Sequence, residues 1–509
     1  MSAQWNYDSM FIDGVWTPDN ALGVIEVIDP ANENVIGSVP EADPKAAHAA
    51  IAAARRAFDD GPWPRTSPRQ RAATLRRMAE ILDERHDQLK ELVMAESGSV
   101  GFLADIIQVR GTIDIAQWIA EAMEYGVQWT EVSPPSGGPR AMAGHAVVRE
   151  PVGVVAAITP FNFPFFLNIV KVLPALAAGC TVVLKPHQWT PLDAYEIARA
   201  AEEAGLPPGV LNVISGGAEV GEEMTRHPMV DMVTFTGSTA TGRAIMAAAA
   251  PTVKRLQLEL GGKSASIVLD DVPEEHVAGM GILTSMIHAG QGCALHTRVL
   301  LPEHLLDAYV QGATNSLPSL KVGDPREPDT VIGPLIRERQ RQRVEGYVRS
   351  GIEDGADLVF GGKRPEHLPK GFFYEPTLFI NVRNDMRIAQ EEIFGPVLAV
   401  ITYKTEQEAI RIANDSIYGL GGGVITGNTA RGFNVARQIR AGNVSVQTVG
   451  AQVSNFDTLG GSGPGWSADQ PNGVGITGVF GGFKQSGVGR EWGHHGIEEF
   501  TELKAIAWS

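Results

Sequence analysis

The chain has 509 residues, which at about 150 residues per domain predicts two to four domains. Hydrophobic residues make up 44% and charged residues 20%, a composition typical of a folded globular protein. The net charge of −17 argues against nucleic acid or an anionic membrane as a partner, because both bind basic surfaces. With only Cys180 and Cys293, a disulfide scaffold is excluded and a reducing, cytoplasmic location is expected.

No signal peptide and no membrane span are predicted. Residues 1–20 lack a basic segment before an apolar core. The stretch Val152–Val170 carries no charged residue, but Pro160 and Pro164 would break a spanning helix. We therefore expect a buried strand, a loop and a helix start there.

Short strands are predicted between residues 11 and 39, followed by three helices. Asp43-Pro44 indicates one helix start, with aspartate as the N-cap and proline at the first helical position. Ser67 and Gln70 have capping-box spacing and indicate a second. The first helix should reach about residue 58, and the third should cover about residues 86–96. The second carries apolar side chains on one face: Leu75, Met78, Ile81 and Leu82.

Apolar strands alternate with helices between residues 153 and 249, the pattern of a parallel sheet buried on both faces. Thr190-Pro191 is expected to cap the helix after the second strand. Right-handed crossovers would make this region a doubly wound, Rossmann-like unit. The predicted strands are Gly153–Ile158, Thr181–Leu184, Val210–Ile214 and Met232–Phe235, and the last two helices are Ala218–Arg226 and Thr239–Ala249.

A second α/β pattern is predicted from about residue 261 to residue 440, with strands in SASIVL, TRVLLP and PVLAVITY. Val449–Gly482 is glycine-rich and lacks periodicity, which indicates a functional loop or an ordered insertion. Phe500–Trp508 alternates as a strand does, and a terminal strand of this kind often pairs with a partner.

The segment Phe235–Gly242 is the better of two candidate phosphate sites. It lies at a predicted strand-to-helix turn, where free backbone amides and the Ser238 hydroxyl suit a pyrophosphate. The alternative is an ordinary turn with a serine cap. The pattern G-x-G-x-x-G also occurs at Gly473–Gly478, but without the strand before it and the helix after it that a dinucleotide site requires.

Two residues could carry covalent and acid–base chemistry. Cys293 has the small neighbours Gly292 and Ala294, which leave room for a ligand to reach the sulfur. An unpaired cysteine is more often a small buried hydrophobic residue, as we expect for Cys180. His296 is near Cys293 in sequence, but that spacing alone does not establish a Cys-His dyad.

Glu259 lies between Leu258 and Leu260, so it is expected to be at least partly buried. Burial would raise the pKa of its carboxyl group towards the range of a general base. The alternative is a structural carboxylate paired with Lys263 or with a backbone amide. The histidines show no metal-ligand spacing, and no metal site is expected.

These features coincide in one family. The segments FIDGVW, ITPFNFP, LKP, FTGST, LELGGK, GQGC, EEIFGP and GGFKQSGVGRE follow one another in the order of its motifs. On these motifs the chain resembles the NAD(P)-dependent aldehyde dehydrogenase superfamily over nearly its whole length. The resemblance implies an α/β fold with a Rossmann-like dinucleotide-binding domain (1–128 and 151–259) and an α/β catalytic domain (260–448). The resemblance also implies two further parts: a glycine-rich substrate-side loop (449–482) and an oligomerisation element (129–150 and 483–509).

The resemblance also implies the chemistry. Cys293 would be the nucleophile, Glu259 the base that activates the deacylating water, and Asn162 an oxyanion donor. An aldehyde would be oxidised to a carboxylic acid through a cysteine thiohemiacetal and a thioester, with NAD(P)+. One alternative is a CoA-acylating relative, against which Glu259 argues. A non-catalytic protein on this fold would be expected to lose Cys293 or Glu259, and a Cys-His hydrolase would need no dinucleotide.

The implied cofactor is NAD, with NADP possible. Gln188 occupies the position where NAD-preferring members commonly have glutamate. Without that negative charge, the 2′-phosphate of NADP is repelled less strongly. The alternative is that Gln188 points away and His187 or Trp189 shapes the pocket. The expected cofactor-binding residues are Ile158, Thr159, Pro160, Phe161, Lys185, Gln188, Phe235, Thr236, Gly237, Ser238, Gly242, Leu260, Glu392 and Phe394.

By the same resemblance, Phe163, Phe166 and Val170 would line the substrate tunnel. Such a tunnel favours medium-chain or aromatic aldehydes over acetaldehyde. The chain departs from the family pattern at Val479, where proline is usual, and at Gln447, where asparagine is common. A homodimer or homotetramer is expected, with a small-molecule aldehyde as the substrate.

Overall fold

The structure, a computed structural model, describes residues 5–138, 141–449 and 478–508. Positions 450–477 of the glycine-rich loop lie outside the described residues, as does the G-x-G-x-x-G pattern except for its last glycine. The strands are β1 (Trp5–Asn6), β2 (Met10–Ile12), β3 (Val15–Thr17), β4 (Ala21–Ile28), β5 (Val35–Ala42), β6 (Thr130–Gly138), β7 (Ala141–Pro151), β8 (Val154–Ile158), β9 (Thr181–Lys185), β10 (Leu211–Val213), β11 (Met232–Thr236), β12 (Arg255–Glu259), β13 (Ala265–Val268), β14 (Arg298–Pro302), β15 (Asp357–Phe360), β16 (Thr377–Ile380), β17 (Val397–Tyr403), β18 (Gly421–Thr426), β19 (Asn443–Thr448), β20 (Gly487–Val488) and β21 (Thr501–Trp508).

Helices cover both large sheets. They are α1 (Pro44–Asp59), α2 (Pro68–Glu84), α3 (His86–Ser97), α4 (Gly101–Leu103), α5 (Gly111–Tyr125), α6 (Pro164–Ala178), α7 (Leu192–Glu203), α8 (Ala218–Arg226), α9 (Thr239–Ala249), α10 (Ile282–Met286), α11 (Leu306–Ser316), α12 (Glu338–Glu353), α13 (Arg387–Gln390), α14 (Glu406–Asn414), α15 (Thr429–Ala436) and α16 (Gly493–Glu498). A π-helical segment, Ala104–Arg110, joins α4 to α5. Among the described helices, none is both long and apolar enough to cross a membrane.

The helix starts near the N-terminus are confirmed. The Asp43 side chain accepts a hydrogen bond from the Ala46 amide at the start of α1, and Ser67 and Gln70 form a complete capping box at the start of α2. The predicted apolar face of α2 is buried. Local side chains satisfy the free amides of both helices, so short sequence patterns were sufficient to predict them.

The first sheet has the strand order β20-β12-β11-β8-β9-β10-β2-β3 in the described residues. Strands β8 to β12 are parallel, and their order places the second half of the unit beside β8, as in the Rossmann fold. Alternate residues of β8 enter different cores: Val155 packs with the α2, α5 and α6 side, and Val154 packs with the α1 side. The sheet is therefore buried on both faces, as predicted.

The start of α7 differs from the prediction. Thr190-Pro191 provides no side-chain cap, and the Thr190 hydroxyl has no hydrogen-bond partner. Instead, the Glu96 carboxylate at the end of α3 accepts hydrogen bonds from the backbone amides of Leu192 and Asp193, at 3.0 and 3.3 Å. A carboxylate from a distant helix satisfies the same free amides that a local cap would satisfy.

The second large sheet has the order β15-β16-β17-β14-β13-β18-β19, with only the edge pair β15 and β16 antiparallel in the described residues. A three-stranded sheet pairs the terminal strand β21 with β7 of the β6–β7 hairpin. Strand β20 joins the first sheet next to β12, so residues 483–509 contribute to two sheets. The domain boundaries given above stay a prediction.

Candidate active site

The site lies at the carboxyl edge of the first sheet, where ligands bind in open parallel sheets. Three segments meet there because β8, β9 and β11 are neighbours. The chain leaves β8 into the loop 159–163, leaves β9 at Lys185, and leaves β11 at Gly237. Strand β12 ends at Glu259 on the same edge, and the backbone amide of Gly237 donates a hydrogen bond to the Glu259 carbonyl.

Cys293 lies in the loop between α10 and β14, with its side chain only partly buried. Its carbonyl oxygen is so close to Gly262 that a Cβ atom there would lie 2.3 Å from it. Only glycine allows this approach, which holds the cysteine loop against the end of the ELGGK segment. Burial, together with the carboxylates of Glu392 and Glu259, raises the pKa of the Cys293 thiol to about 12.

Glu259 is 2% exposed, as its leucine neighbours predicted. Neither carboxyl oxygen has a hydrogen-bond partner, so the alternative pairing with Lys263 or a backbone amide does not form. Burial raises the pKa of Glu259 well above its usual range, and the carboxylate of Glu491 raises it further. A buried carboxyl group without a partner is available to exchange a proton with a ligand.

The charge of Glu259 is affected by a buried ion pair between Lys171 and Glu491, which was not predicted. Lys171 Nζ lies 2.6 Å from Glu491 Oε1, and both side chains are almost fully buried. Lys171 also donates a hydrogen bond to Thr234 Oγ1 at 3.1 Å. The two charges act oppositely on Glu259, because Lys171 lowers its pKa and Glu491 raises it. A lysine within the apolar run of α6 was the only sequence signal for this pair.

Asn162 is 4% exposed and lies directly before α6. Its Nδ2 donates a hydrogen bond to the Gln291 carbonyl at 2.8 Å, which brings it to the segment that carries Cys293. Its own carbonyl accepts a hydrogen bond from His288 Nε2 at 2.6 Å. His288 and Ala289 both have left-handed backbone angles, with φ of 53° and 52°. This strained turn fixes the contact between the two loops.

Lys185, one of the expected cofactor-binding residues, ends β9 and is 6% exposed. Burial lowers the pKa of its ammonium group to about 8, and the Glu219 carboxylate opposes this shift. Across the edge, Thr236 Oγ1 is buried without a hydrogen-bond partner. Ser238 caps α9 by accepting a hydrogen bond from the Thr241 amide at 3.1 Å. An unpartnered hydroxyl, a buried ammonium and a helix start fit the phosphates and ribose of a dinucleotide.

Gln188, which is predicted to influence the choice between NAD and NADP, is exposed, and a carboxylate lies beside it. A Cβ on Gly217 would lie 2.5 Å from Glu219 Oε2 and 3.7 Å from Gln188 Oε1. The two side chains therefore converge at the N-terminus of α8. The sequence did not indicate Glu219, because it follows Gln188 by a whole β-α unit.

Glu392, another expected cofactor-binding residue, accepts a hydrogen bond at Oε1 from the Gly262 amide at 3.0 Å. Burial raises the pKa of Glu392 to about 7. Phe394, with φ of 60°, packs edge-on against Phe161, with 5.7 Å between the ring centroids. Glu392 and Cys293 therefore both contact the glycine pair Gly261 and Gly262.

Other candidates lie apart from these groups. His296 is buried against Gly423 of β18, its Nε2 has no partner, and burial lowers its pKa to about 4. Cys180 is fully buried, with its sulfur 3.3 Å from the Phe500 carbonyl, as expected of a small hydrophobic residue. Among the described residues, no group of three or more His, Cys, Asp or Glu side chains could hold a metal ion.

The strand order of the first sheet places the chain among the dinucleotide-binding α/β folds, with a partly accessible cysteine near its carboxyl edge. The model of the aldehyde dehydrogenase family matches residues 16–473 and 466–506. The chain belongs to the aldehyde dehydrogenase family, whose members oxidise aldehydes to acids with NAD(P)+. The family resemblance and the α/β fold are thus confirmed.

Individual relatives cover nearly the whole chain. A 3-succinoylsemialdehyde-pyridine dehydrogenase of a Pseudomonas species is 40% identical over 98% of both chains. A Mycobacterium tuberculosis aldehyde dehydrogenase complexed with NAD+ has a TM-score of 0.90 at 45% identity, covering 99% of this chain and 98% of that one. Aldehyde dehydrogenase C of Pseudomonas syringae, in a mutant complexed with NAD+ and octanal, has a TM-score of 0.89 at 38% identity, covering 99% and 96%.

Proposed function

We propose that this enzyme oxidises a medium-chain or aromatic aldehyde to its carboxylic acid, with Cys293 as the nucleophile, Glu259 as the base and NAD+ as the preferred cofactor. The observation that carries the proposal is the Glu259 carboxyl group. It is buried, neither oxygen is paired, and it is close enough to Cys293 to raise the pKa of the thiol. A CoA-dependent enzyme would not need such a base.

The residues divide the reaction into acylation and deacylation. Once the Cys293 thiol has lost its proton, its sulfur adds to the aldehyde carbon as the carbonyl π bond opens. The Asn162 amide and the Cys293 backbone amide stabilise the resulting oxyanion by roughly 3–4 kcal/mol per donor. Bound NAD+ would supply the acceptor for the hydride that leaves the aldehyde carbon, and Lys185, Thr236 and Glu392 are among the residues that would hold it. The Cys293 thioester remains, Glu259 takes a proton from water, and the hydroxide displaces the sulfur to release the acid.

The substrate class is proposed from α6. Phe163, Phe166 and Val170 follow one another at helical spacing, so they share the face that begins beside Asn162. Burial of a substrate chain along this face contributes about 0.8 kcal/mol per methylene. The names of two relatives support this class, since one acts on a pyridine-bearing semialdehyde and the other was crystallised with octanal.

The purified enzyme is expected to form NADH with octanal and with benzaldehyde-type substrates, at a higher kcat/KM than with acetaldehyde. The measurement is NADH absorbance with and without coenzyme A, and the acid product is identified by mass. A strict requirement for coenzyme A would contradict the hydrolytic mechanism. Turnover restricted to acetaldehyde or to charged aldehydes would contradict the substrate class.

Cofactor preference is expected to depend on Gln188 and Glu219, the two side chains that converge near Gly217. The Glu219 carboxylate lies beside Gln188, the residue expected to face the adenosine ribose, and would repel the 2′-phosphate of NADP. Glu219→Gln should therefore raise kcat/KM for NADP by roughly fivefold, as expected for a charge interaction near the surface. Gln188→Glu adds a carboxylate and should lower it. The measurement is kcat/KM for both cofactors in the two variants and the wild type.

The matched control is Glu222→Gln. Glu222 lies on the same helix and makes an ion pair with Arg226, with both side chains largely exposed. It should leave the NAD-to-NADP ratio as in the wild type. If Glu219→Gln also leaves the NAD-to-NADP ratio unchanged, the Glu219 carboxylate does not discriminate between the two cofactors. Other groups must then determine the cofactor preference.

We further propose a cytoplasmic homo-oligomer, either a dimer or a tetramer. The sparing use of cysteine supports a reducing compartment. Strand β21 forms the edge of its sheet and exposes Leu503, Ile506 and Trp508. An edge strand with exposed apolar side chains is well suited to pairing with another copy.

A further inference from the structure

A small cavity lies between α5 and α6, beside Val170, the last of the three residues predicted to line the tunnel. Its walls include Ile115 and Trp118 of α5, Val170 and Pro174 of α6, and Trp492 just before α16. Its volume is about 10 Å³, which is room for about one small polar group. Apart from Trp492 and Trp118, the wall is entirely apolar.

The indole of Trp492 carries an unused hydrogen-bond donor. Its Nε1 is buried and has no partner among the described groups. The ring stacks on Phe480 with 4.6 Å between centroids and meets Phe166 edge-on at 6.1 Å. A buried N–H group that makes no hydrogen bond loses its interaction with water without compensation, so such groups are rare unless they have a ligand.

The backbone holds this indole in an unfavourable conformation. Trp492 has φ of 66° and ψ of 165°, a combination that non-glycine residues rarely adopt. Hydrogen bonds on both sides enforce it: Glu491 and Phe480 exchange two backbone bonds, and the Gly496 amide donates to the Trp492 carbonyl at 2.8 Å. Strain maintained by surrounding structure is characteristic of ligand sites.

The cavity is aligned with the reactive centre along α6. Val170 follows Phe163 by two helical turns on the same face, a rise of about 10 Å. At the other end of that face, Asn162 contacts the cysteine segment. Trp492 also directly follows Glu491, whose charge acts on Glu259. A chain that extends from Cys293 along the α6 face would therefore reach the indole with its distal end.

We propose that Trp492 Nε1–H binds a hydrogen-bond acceptor at the distal end of the substrate. The preferred aldehyde would carry a neutral oxygen or nitrogen acceptor roughly 10 Å from its carbonyl carbon. The acceptor is neutral because the described wall of the cavity provides no cation to balance a buried carboxylate. This inference rests on the proposed function and defines its substrate class further.

The test compares n-alkanals with ω-methoxyalkanals of equal length, which differ only by one CH2 replaced with oxygen. In the wild type, the ratio of kcat/KM for the ether over the alkanal should pass through a maximum at one chain length, near the pair 8-methoxyoctanal and decanal. Trp492→Phe keeps an aromatic ring and removes the donor, so the maximum should fall by about tenfold. Trp16→Phe is the matched control, because its indole N–H already donates to Glu202, it does not line the cavity, and its loss should keep the maximum.

A ratio that falls smoothly with length in the wild type would overturn the proposal without any variant. So would a maximum that survives in a folded Trp492→Phe enzyme. Failure of the proposed function is distinct, because it would show as absent NADH formation with both members of every pair.

Discussion

Replacing Cys293 by alanine should lower steady-state NADH formation by at least about ten-thousand-fold, because removal of a covalent nucleophile eliminates the reaction path itself. NAD+ should still bind, since the groups at Lys185 and Thr236 are untouched. Isothermal titration with NAD+ and a rate measurement at saturating aldehyde would separate the two effects. Burial raises the thiol pKa to about 12, so wild-type alkylation by iodoacetamide should accelerate as the pH rises.

Cys180→Ala is the control for this experiment. Cys180 is fully buried near Phe500, far along the chain from the glycine pair that contacts Cys293. Its replacement removes one small buried group and should retain turnover. If Cys293→Ala kept activity within tenfold of the wild type, another group would have to be the nucleophile.

Glu259→Gln should separate the two halves of the reaction. The variant can still form the thioester, so one NADH per active site is expected in a rapid burst, followed by a steady state lowered by about a hundredfold or more. The acyl-enzyme should accumulate on Cys293 and be visible by intact mass after acid quenching. Hydroxylamine, which attacks thioesters without a base, should release the acyl group.

The matched control for that variant is Glu498→Gln. Glu498 is on α16 and pairs with Arg149, outside the Glu259, Lys171 and Glu491 cluster. It should show no burst and no accumulated adduct. A Glu259→Gln enzyme with a wild-type steady state would mean that water is activated elsewhere.

Local patterns explain why so much of the fold could be predicted. The capping box at Ser67 and the apolar strand at Val154–Ile158 each depend on residues a few positions apart. Cys293 and Glu259 were identified from short motifs, and their neighbours alone indicated access and burial. Their roles as nucleophile and base stay predictions that the two variants above would test.

What the sequence could not provide were contacts between distant segments. Lys171 and Glu491 are 320 positions apart, and a charge in an apolar helix does not reveal which carboxylate it meets. The position of Glu219 beside Gln188 depends on how α8, which carries Glu219, packs against the first sheet. The conformation of Trp492 depends on the backbone pairing of its neighbour Glu491 with Phe480 after the glycine-rich segment. Each is a consequence of tertiary packing that overrides local preference.

The cap of α7 by Glu96 links the N-terminal helices to the edge of the first sheet that carries Lys185. The turn that carries Lys185 and Gln188 enters α7 directly, and the first amides of that helix are satisfied only when α3 is folded. Local unfolding of α3 would therefore leave buried amides of α7 without acceptors, at a cost of about 1–3 kcal/mol for each. We expect the two helices to unfold as one cooperative unit, so that sequence changes in α3 should alter the turn that carries Lys185 and, with it, the affinity for the dinucleotide.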